Sequence, residues 1–251
     1  MPARFMNPIA ILQHECNQGP GYLLSHLRSQ GLDCEVFHAP RGQALPRWIS
    51  DYSGLVVLGS NHSVNDELPW IEAELGLLRQ AVALDVPVLG HCFGAQLLAR
   101  ALGARVHRHA WPHIGWSRLW ATPAGRERLG GQAQVTMFNW HHDSFEIPSG
   151  AQRILVGSHC LNKGFAHGRH LGLQSHLEVT EDSVRAWCAE SREEICQALA
   201  QGHGRTVQSE EELLRELPAR TAELHSLARS VYGHWLRGLR QPLASHLHGG
   251  W

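Results

Sequence analysis

The sequence lacks the features that would assign it to a membrane, a nucleic acid or a secreted scaffold. No apolar run approaches the roughly 20 residues that a membrane span requires, so we predict no membrane segment. The formal net charge is only −1, which favours neither nucleic acid nor an anionic membrane as a partner. The N-terminus lacks a basic region followed by an apolar core and a small-residue cleavage site. We therefore predict no signal peptide and a cytoplasmic location.

Metal and cofactor motifs are also missing. The six cysteines are scattered through apolar segments of a 251-residue chain, unlike those of a disulfide-stapled secreted domain, and we predict reduced thiols. The 19 histidines come with no C-x-x-C, H-E-x-x-H or carboxylate-bracketed pattern. A G-x-x-x-x-G-K-[ST] phosphate loop is absent as well. We therefore predict no metal site and no cofactor.

The first hundred residues alternate between strand-like and helix-like segments. Short apolar or alternating runs predict strands at 8–14, 32–37, 55–58 and 87–89. Helical spacing of apolar residues predicts helices at 20–30, 69–84 and 95–102. This β-α-β-β-α-β-α order is typical of a doubly wound, mainly parallel α/β sheet with helices on both faces.

The rest of the chain changes character twice. Short β-like segments between residues 104 and 174 predict extra strands, some antiparallel, on the same sheet and in a small flanking sheet. A helix is then predicted over 182–196, a capping box at Ser209 and Glu212, and more helix after Pro218, with the final SHLHGGW frayed. We predict one domain over residues 1–251, with a helical C-terminal extension over about 200–251.

Cys92 lies in the stretch that carries the first half of a candidate active site. An apolar strand ends at the sequence Gly90-His91-Cys92-Phe93-Gly94, and a helix follows. A nucleophile elbow has this layout with serine. The turn would set the thiol at a helix N-terminus, where the dipole favours thiolate, and would leave the Phe93 N–H free for a developing oxyanion. Taken alone, however, the motif fits a buried, inert cysteine equally well.

His176 and Glu178 supply the second half of that site. They follow the predicted strand at 171–174, and residues two apart point to the same side of an extended chain. A carboxylate so placed can fix the imidazole tautomer and leave the other ring nitrogen free to take a proton from a thiol. The alternative is an ordinary histidine and glutamate after a strand.

The two halves together resemble the class I (triad) glutamine amidotransferases. The segments GHCFGAQLLARALG and LGLQSHLEVT carry the resemblance, and VVLGSNHSVNDELPWIEAELGLLRQAV, HIGW and WHHDSFEIPSGAQRI add to it. It covers residues 8 to 200, approximately, and is greatest with stand-alone members described as GMP-synthetase-like amidotransferase domains. The resemblance implies a flavodoxin-like sheet and hydrolysis of a γ-amide.

Carried over position by position, the resemblance implies a role for eight residues. Cys92 would be the nucleophile, His176 the general base and acid, and Glu178 its orienting partner. The backbone N–H groups of Gly59 and Phe93 would form the oxyanion hole.

The resemblance also implies how the substrate is held. Gln96 would contact the substrate glutamine, and the backbone at Ser144 and Phe145 would hold the amino-acid end of the substrate.

Four positions depart from the family pattern. The loop after the third strand usually reads Gly-Gly-Pro, whereas here it is Gly59-Ser60-Asn61-His62. Ser175 stands where an aromatic residue is common, Leu177 where proline is frequent, and His91 where an aliphatic residue is common. The proline that fixes this turn in the family is therefore missing here.

Three activities fit these residues. The first is glutamine hydrolysis through a Cys-His-Glu triad and a γ-glutamyl thioester, with ammonia passed to a separate synthetase or acceptor subunit. The second is a stand-alone γ-glutamyl peptidase or hydrolase acting on another γ-glutamyl compound. The third is a catalytically inactive binding or regulatory module on the same fold. Only the first two predict a reactive Cys92 thiol and a small-molecule substrate.

Overall fold

A computed structural model describes residues 6–239 of the chain. The strands are β1 (Ile9–Leu12), β2 (Cys34–Phe37), β3 (Gly54–Val57), β4 (Val88–His91), β5 (Val106–Ala121), β6 (Gln134–Phe145), β7 (Gln152–Gly157), β8 (Gly164–His167) and β9 (His170–Leu173). The helices are α1 (Gly21–Ser29), α2 (Pro69–Ala83), α3 (Phe93–Ala101), α4 (Pro123–Arg126), α5 (Glu181–Glu190), α6 (Arg192–Ala200), α7 (Glu210–Leu214) and α8 (Leu217–Leu236). Two short 3₁₀ helices span Ala39–Arg41 and Ile49–Asp51.

The strands form one sheet in the order β2-β1-β3-β4-β9-β8-β7-β5-β6. The first five strands in this order, β2, β1, β3, β4 and β9, pair in parallel. The remaining pairings are antiparallel. Side chains alternate between the two faces: Ile9 and Ile11 pack in the cluster with α1, α5 and α8, whereas Ala10 and Leu12 pack with α2 and α3. The predicted α/β class, with helices on both faces, is confirmed.

The antiparallel region differs from the prediction in its details. The prediction of a small flanking sheet was wrong, because all nine described strands belong to one sheet. In place of short segments, the region contains the 16-residue strand β5, whose pairing with β6 shifts register between Arg108 and His113. Pro112 lies in this unpaired step, where its missing N–H costs no ladder bond.

The C-terminal helices also differ in detail. The helix predicted over 182–196 is divided at Ser191, which ends α5 and begins α6 with non-helical backbone angles. The capping box of Ser209 and Glu212 is present at the start of α7. The predicted fraying of SHLHGGW and the end of the predicted extension lie outside the described residues. Across residues 6–239, none of the helices combines the length and apolarity that crossing a membrane requires.

Candidate active site

Three neighbouring parallel strands bring the predicted residues together. In the sheet β4 lies between β3 and β9, with His91 opposite Leu173. The Cys92 N–H donates to Leu173 O at 2.8 Å, which ties the end of β4 to the end of β9. Gly59 and His176 follow the carboxyl ends of the flanking strands. Cys92 and His176, which are 84 positions apart in the sequence, therefore lie at the same edge of the sheet. Ligands bind at this edge in such folds.

The turn at Cys92 is strained and needs both of its glycines. Cys92 has φ +50° and ψ −109°, a conformation that L-residues rarely adopt. A Cβ on Gly90 would come within 2.5 Å of Gly94 O, and one on Gly94 within 2.0 Å of Val57 O. Backbone therefore packs against backbone on both sides of the cysteine. The sequence prediction of a tight strand-to-helix turn carrying this residue agrees with the geometry.

His176 is held by a carboxylate and by its backbone. Its Nδ1–H donates to Glu178 Oε1 at 2.6 Å, and its backbone N–H donates to Phe138 O at 2.8 Å. Burial alone would lower the pKa of His176. The Glu178 carboxylate and the Cys92 side chain outweigh burial and raise that pKa to about 10. Cys92 and His176 line the same cavity, and Glu178 holds the imidazole, so the sulfur, the imidazole and the carboxylate form one linked set.

Glu178 faces a second imidazole. His91 Nδ1 lies 3.4 Å from Glu178 Oε2 and 3.3 Å from Ser175 O. Both neighbours are acceptor oxygens, so Nδ1 carries the proton. Burial would raise the pKa of Glu178, but His91 and His176 outweigh that effect and hold it below its ordinary value. Burial lowers the pKa of His91 itself. The histidine at position 91 therefore places a second imidazole beside the carboxylate, while its Nδ1–H donates to Ser175 O and Glu178 Oε2 accepts no hydrogen bond from the described residues.

The changed loop at Gly59 is anchored from the segment that follows β1. His14 Nδ1 lies 2.8 Å from Gly59 O, and its Nε2 lies 3.0 Å from Glu74 Oε2, with both side chains fully buried. Glu15 Oε1 accepts hydrogen bonds from Ser60 Oγ at 3.3 Å and from the backbone N–H of Asn61 at 3.2 Å. Side-chain contacts thus fix the loop where the family pattern has a proline.

The peptide that would offer an oxyanion N–H is also fixed. Leu58 O accepts from the Gly94 N–H at 3.1 Å. In a trans peptide the Gly59 N–H points away from Leu58 O, and so away from Gly94. A Cβ on Gly59 would come within 2.8 Å of His176 Cε1. Gly59 therefore lies directly against the histidine.

A cavity of about 270 Å³ opens at this edge of the sheet. Its lining includes Cys92, Phe93, Gln96, Trp140, His141 and His176. The Cys92 Sγ lies 3.5 Å from Trp140 O and 3.7 Å from Gln174 Nε2. Gln96 Nε2 donates to Asp143 O at 3.1 Å and to Gln174 Oε1 at 3.3 Å. The thiol, the imidazole and the predicted substrate-contacting glutamine therefore share one cavity.

Two predicted residues lie apart from the cavity lining. The side chain of Ser144 contacts Cys160 Sγ at 3.3 Å, and Phe145 packs edge-on against Phe165 in the core. Both belong to β6, where Ser144 pairs with His107. Their side chains do not reach the substrate cavity, and the role expected of their backbone stays a prediction.

Several cavity residues had no individual prediction. Trp187 packs edge-on against His176 with ring centroids 5.0 Å apart. At the mouth, Glu194 accepts from His142 at 2.5 Å and from Trp140 Nε1 at 3.2 Å. The segment WHHD carried the only sequence signal for this wall. Glu194 lies on α6, more than 50 residues further along the chain, and no local pattern connects it with the site.

Fold and site together define an α/β protein with a cysteine at a strand-to-helix elbow and an imidazole–carboxylate pair beside it. The family described as glutamine amidotransferase class-I matches residues 21–186 of this chain. The chain therefore belongs to the class I glutamine amidotransferases.

Individual relatives agree with this family. The chain is 29% identical over 194 residues to the glutamine amidotransferase-like protein YfeJ of Salmonella typhimurium, covering 74% of this chain and 81% of that protein. It is 26% identical over 162 residues to one subunit of the glutamine-hydrolyzing GMP synthase of Saccharolobus solfataricus, covering 62% and 82%. Among solved structures, a glutamine amidotransferase from Methylobacillus flagellatus matches with a TM-score of 0.92 and 39% identity, over 97% of this chain and 99% of that one.

Proposed function

We propose that this protein hydrolyses the γ-amide of glutamine, with Cys92 as nucleophile and His176 and Glu178 as its base and orienting acid. The observation that carries the proposal is the linked set at the ends of β4 and β9. The cysteine lies in a strained elbow and shares a cavity with a histidine whose Nδ1 lies 2.6 Å from Glu178 Oε1. This is the arrangement of nucleophile, base and orienting group that acyl transfer requires.

The chemistry proceeds in two steps. The Cys92 sulfur attacks the side-chain carbonyl carbon, His176 delivers its proton to the departing nitrogen, and ammonia leaves as the C–N bond breaks. A γ-glutamyl thioester remains on the sulfur. His176 then takes a proton from water, the hydroxide attacks the thioester, and glutamate leaves as the proton returns to the thiol. The N–H groups of Gly59 and Phe93 would stabilise the oxyanion in both steps.

Gln96 and the backbone of β6 are proposed to hold the substrate. The amide of Gln96 is already held by Asp143 O and Gln174 at the cavity wall. The side-chain oxygen of Gln96 is thus oriented by two contacts to its nitrogen. We keep the backbone at Ser144 and Phe145 as the proposed contact for the amino-acid end of the substrate.

We further propose that the ammonia goes to a separate acceptor subunit in the cytoplasm, and that residues 1–251 act as one domain. The similarity to a protein that is named as one subunit of a GMP synthase supports a partner on another chain. A phosphate loop for activating an acceptor is absent from the sequence.

The test compares wild type with Cys92→Ala on glutamine and on γ-glutamyl dipeptides. Cys196→Ser, at an exposed thiol, is the matched control. Ammonia from glutamine with wild type and the control, but not with Cys92→Ala, supports the proposal. Free amino acid from the dipeptides alone would assign a γ-glutamyl hydrolase instead. No turnover, together with no covalent label on Cys92 from a glutamine-analogue electrophile, would identify an inactive module.

A further inference from the structure

Lys163 is the only lysine among the 251 residues, since the other 21 basic side chains of the Lys-plus-Arg total are arginines. It precedes β8, and only 1% of the residue is exposed. Its ammonium donates to Asn139 Oδ1 at 2.9 Å and to His141 Nε2 at 2.7 Å. No ion pair within residues 6–239 includes it. A buried cation without a carboxylate is costly, so its presence needs an explanation.

The hydrogen bonds assign a protonation state to His141. Its Nδ1 lies 2.9 Å from Asp143 O, a carbonyl that can only accept, so Nδ1 carries the proton and Nε2 accepts from Lys163. Burial, and then the charge of Lys163, lower the pKa of His141 well below its ordinary value. The imidazole is therefore neutral, and the positive charge of this pair resides on the lysine.

The lysine is connected to both sides of the reactive thiol. His141 lines the cavity together with Cys92. Asn139 Oδ1, which accepts from Lys163, also accepts from Ser175 Oγ at 2.9 Å, and Ser175 immediately precedes His176. The serine that departs from the family pattern is thus part of the same network.

The groups that favour the charged form of Lys163 are two thiols. Burial lowers the pKa of Lys163 to about 8, while the Cys160 and Cys92 side chains act in the opposite direction. The ammonium consequently remains charged at neutral pH. Coupling is reciprocal, so a cation that a Cys92 thiolate stabilises must stabilise that thiolate to the same extent. A lysine can occupy such a site because burial readily lowers its pKa. An arginine stays protonated even when it is buried.

We propose that Lys163 is a positioning residue that holds His141 and Asn139 in place and supplies positive potential to the anion forming at Cys92 Sγ. The role in catalysis rests on the proposed function. The coupling between the ammonium and the sulfur does not, and it is measured separately below.

The first experiment uses the fact that Lys163 is the sole lysine. In protein labelled with ¹³C-lysine, one Cε signal reports the titration of this side chain. We expect a midpoint near pH 8 in wild type and a lower midpoint in Cys92→Ala, because the thiolate that favours the ammonium is gone. Cys188→Ala, which removes a buried thiol packed among the C-terminal helices, is the control and should leave the midpoint unchanged. Equal midpoints in wild type and Cys92→Ala would overturn the proposal.

The second experiment compares two alkylating reagents at Cys92. Anionic iodoacetate and neutral iodoacetamide both need the thiolate, so the ratio of their rates at the Cys92 peptide reports the local potential. We expect this ratio to fall as the pH rises through about 8. Among the histidines nearby, burial is the largest cause that lowers the pKa values of His109, His113 and His141, and the pKa of His176 is raised to about 10.

Two neutral variants separate charge from hydrogen bonding. Lys163→Gln keeps amide N–H donors, whereas Lys163→Met has none. If the charge acts on Cys92, both variants lower the iodoacetate-to-iodoacetamide ratio at pH 7 by at least about threefold and make it independent of pH near 8. An unchanged ratio in folded Lys163→Gln would overturn the proposal even if glutamine is hydrolysed. Coupling without hydrolysis of any γ-glutamyl compound would leave the proposal standing and overturn the function proposed above.

Discussion

The parallel and antiparallel halves of the sheet contribute different things to the site. The parallel half, β2-β1-β3-β4-β9, ends in Gly59, Cys92, His176 and Glu178, the groups proposed to react. The antiparallel half, β8-β7-β5-β6, contributes the cavity wall from Trp140 onward and the network around the buried lysine. Under the proposed function, one side of the sheet would carry out the chemistry and the other would recognise the substrate; we call them the chemical edge and the recognition edge.

The two halves fix their groups by different means. At the elbow of the parallel half the backbone does so: Cys92 has positive φ, and neighbouring glycines lie so close to other backbone that no Cβ fits. In the antiparallel half side chains do so, through chains of hydrogen bonds such as that from His142 to Glu194. We therefore expect small substitutions in the parallel half to stop the reaction or the folding, and those in the wall to change substrate binding.

The largest effect is expected at His176. Replacing it with asparagine removes the base and acid, and we expect kcat to fall by about 10²- to 10⁴-fold at pH 7. The measurement is ammonia release from glutamine, with thermal unfolding as a check on folding. His107→Asn, at an exposed position on β5, is the matched control and should retain activity. Comparable activity in His176→Asn and the control would contradict the chemical role proposed for the parallel half of the sheet.

The next largest effect is expected at Gly94. Its substitution by alanine sets a methyl group 2.0 Å from Val57 O, which cannot move without breaking the sheet. We expect a loss of about 3 kcal/mol in the free energy of unfolding, near the upper end for overpacking. Gly76→Ala, in α2 with no atom near the new methyl group, should instead stabilise the protein by about 0.5–1 kcal/mol. Urea unfolding of both variants measures the difference, and equal effects would contradict the crowding argument.

The same contrast explains what could be predicted from the sequence. The elbow and the His-x-Glu pair follow from glycine spacing, strand periodicity and strand order, which are local patterns, and the predicted α/β class is confirmed. The site roles assigned to all eight residues, those of Cys92, His176 and Glu178 included, stay predictions.

The contacts in the wall could not be derived in this way. The lysine that reaches two residues on β6, and the glutamate on α6 that reaches the cavity mouth, depend on side-chain contacts between distant segments. The small flanking sheet was predicted wrongly for a related reason. Alternation of apolar residues identifies strands, but it does not indicate which neighbour each strand will pair with.

A pH experiment sharpens the comparison between the two edges. The pKa of His176 is raised to about 10 in the folded protein, from 6.5. The stabilisation from its proton is therefore fully present below pH 6.5 and is lost as the pH rises through about 10. We expect the free energy of unfolding of wild type to decline relative to His176→Asn across this window, as measured by urea titrations.

The comparison with His176→Asn is needed because Lys163 changes the free energy of unfolding with pH in the opposite direction. Its folded pKa of about 8 lies below the ordinary 10.5, so its contribution to stability rises between these two values. Both variants in the comparison contain this lysine. A difference between wild type and His176→Asn that stays constant from pH 6.5 to 10 would contradict the raised pKa of His176.

The smallest effect is expected at the mouth of the cavity. His142 bridges Arg108, at 3.2 Å, and Glu194 across the wall, and 31% of its side chain is exposed. Its replacement by asparagine should raise KM for glutamine by about threefold and leave kcat unchanged, because it removes binding that ground state and transition state share. Steady-state kinetics distinguishes the two parameters. A fall in kcat without a change in KM would show that this wall takes part in the reaction itself, and the division between a chemical and a recognition edge would no longer hold.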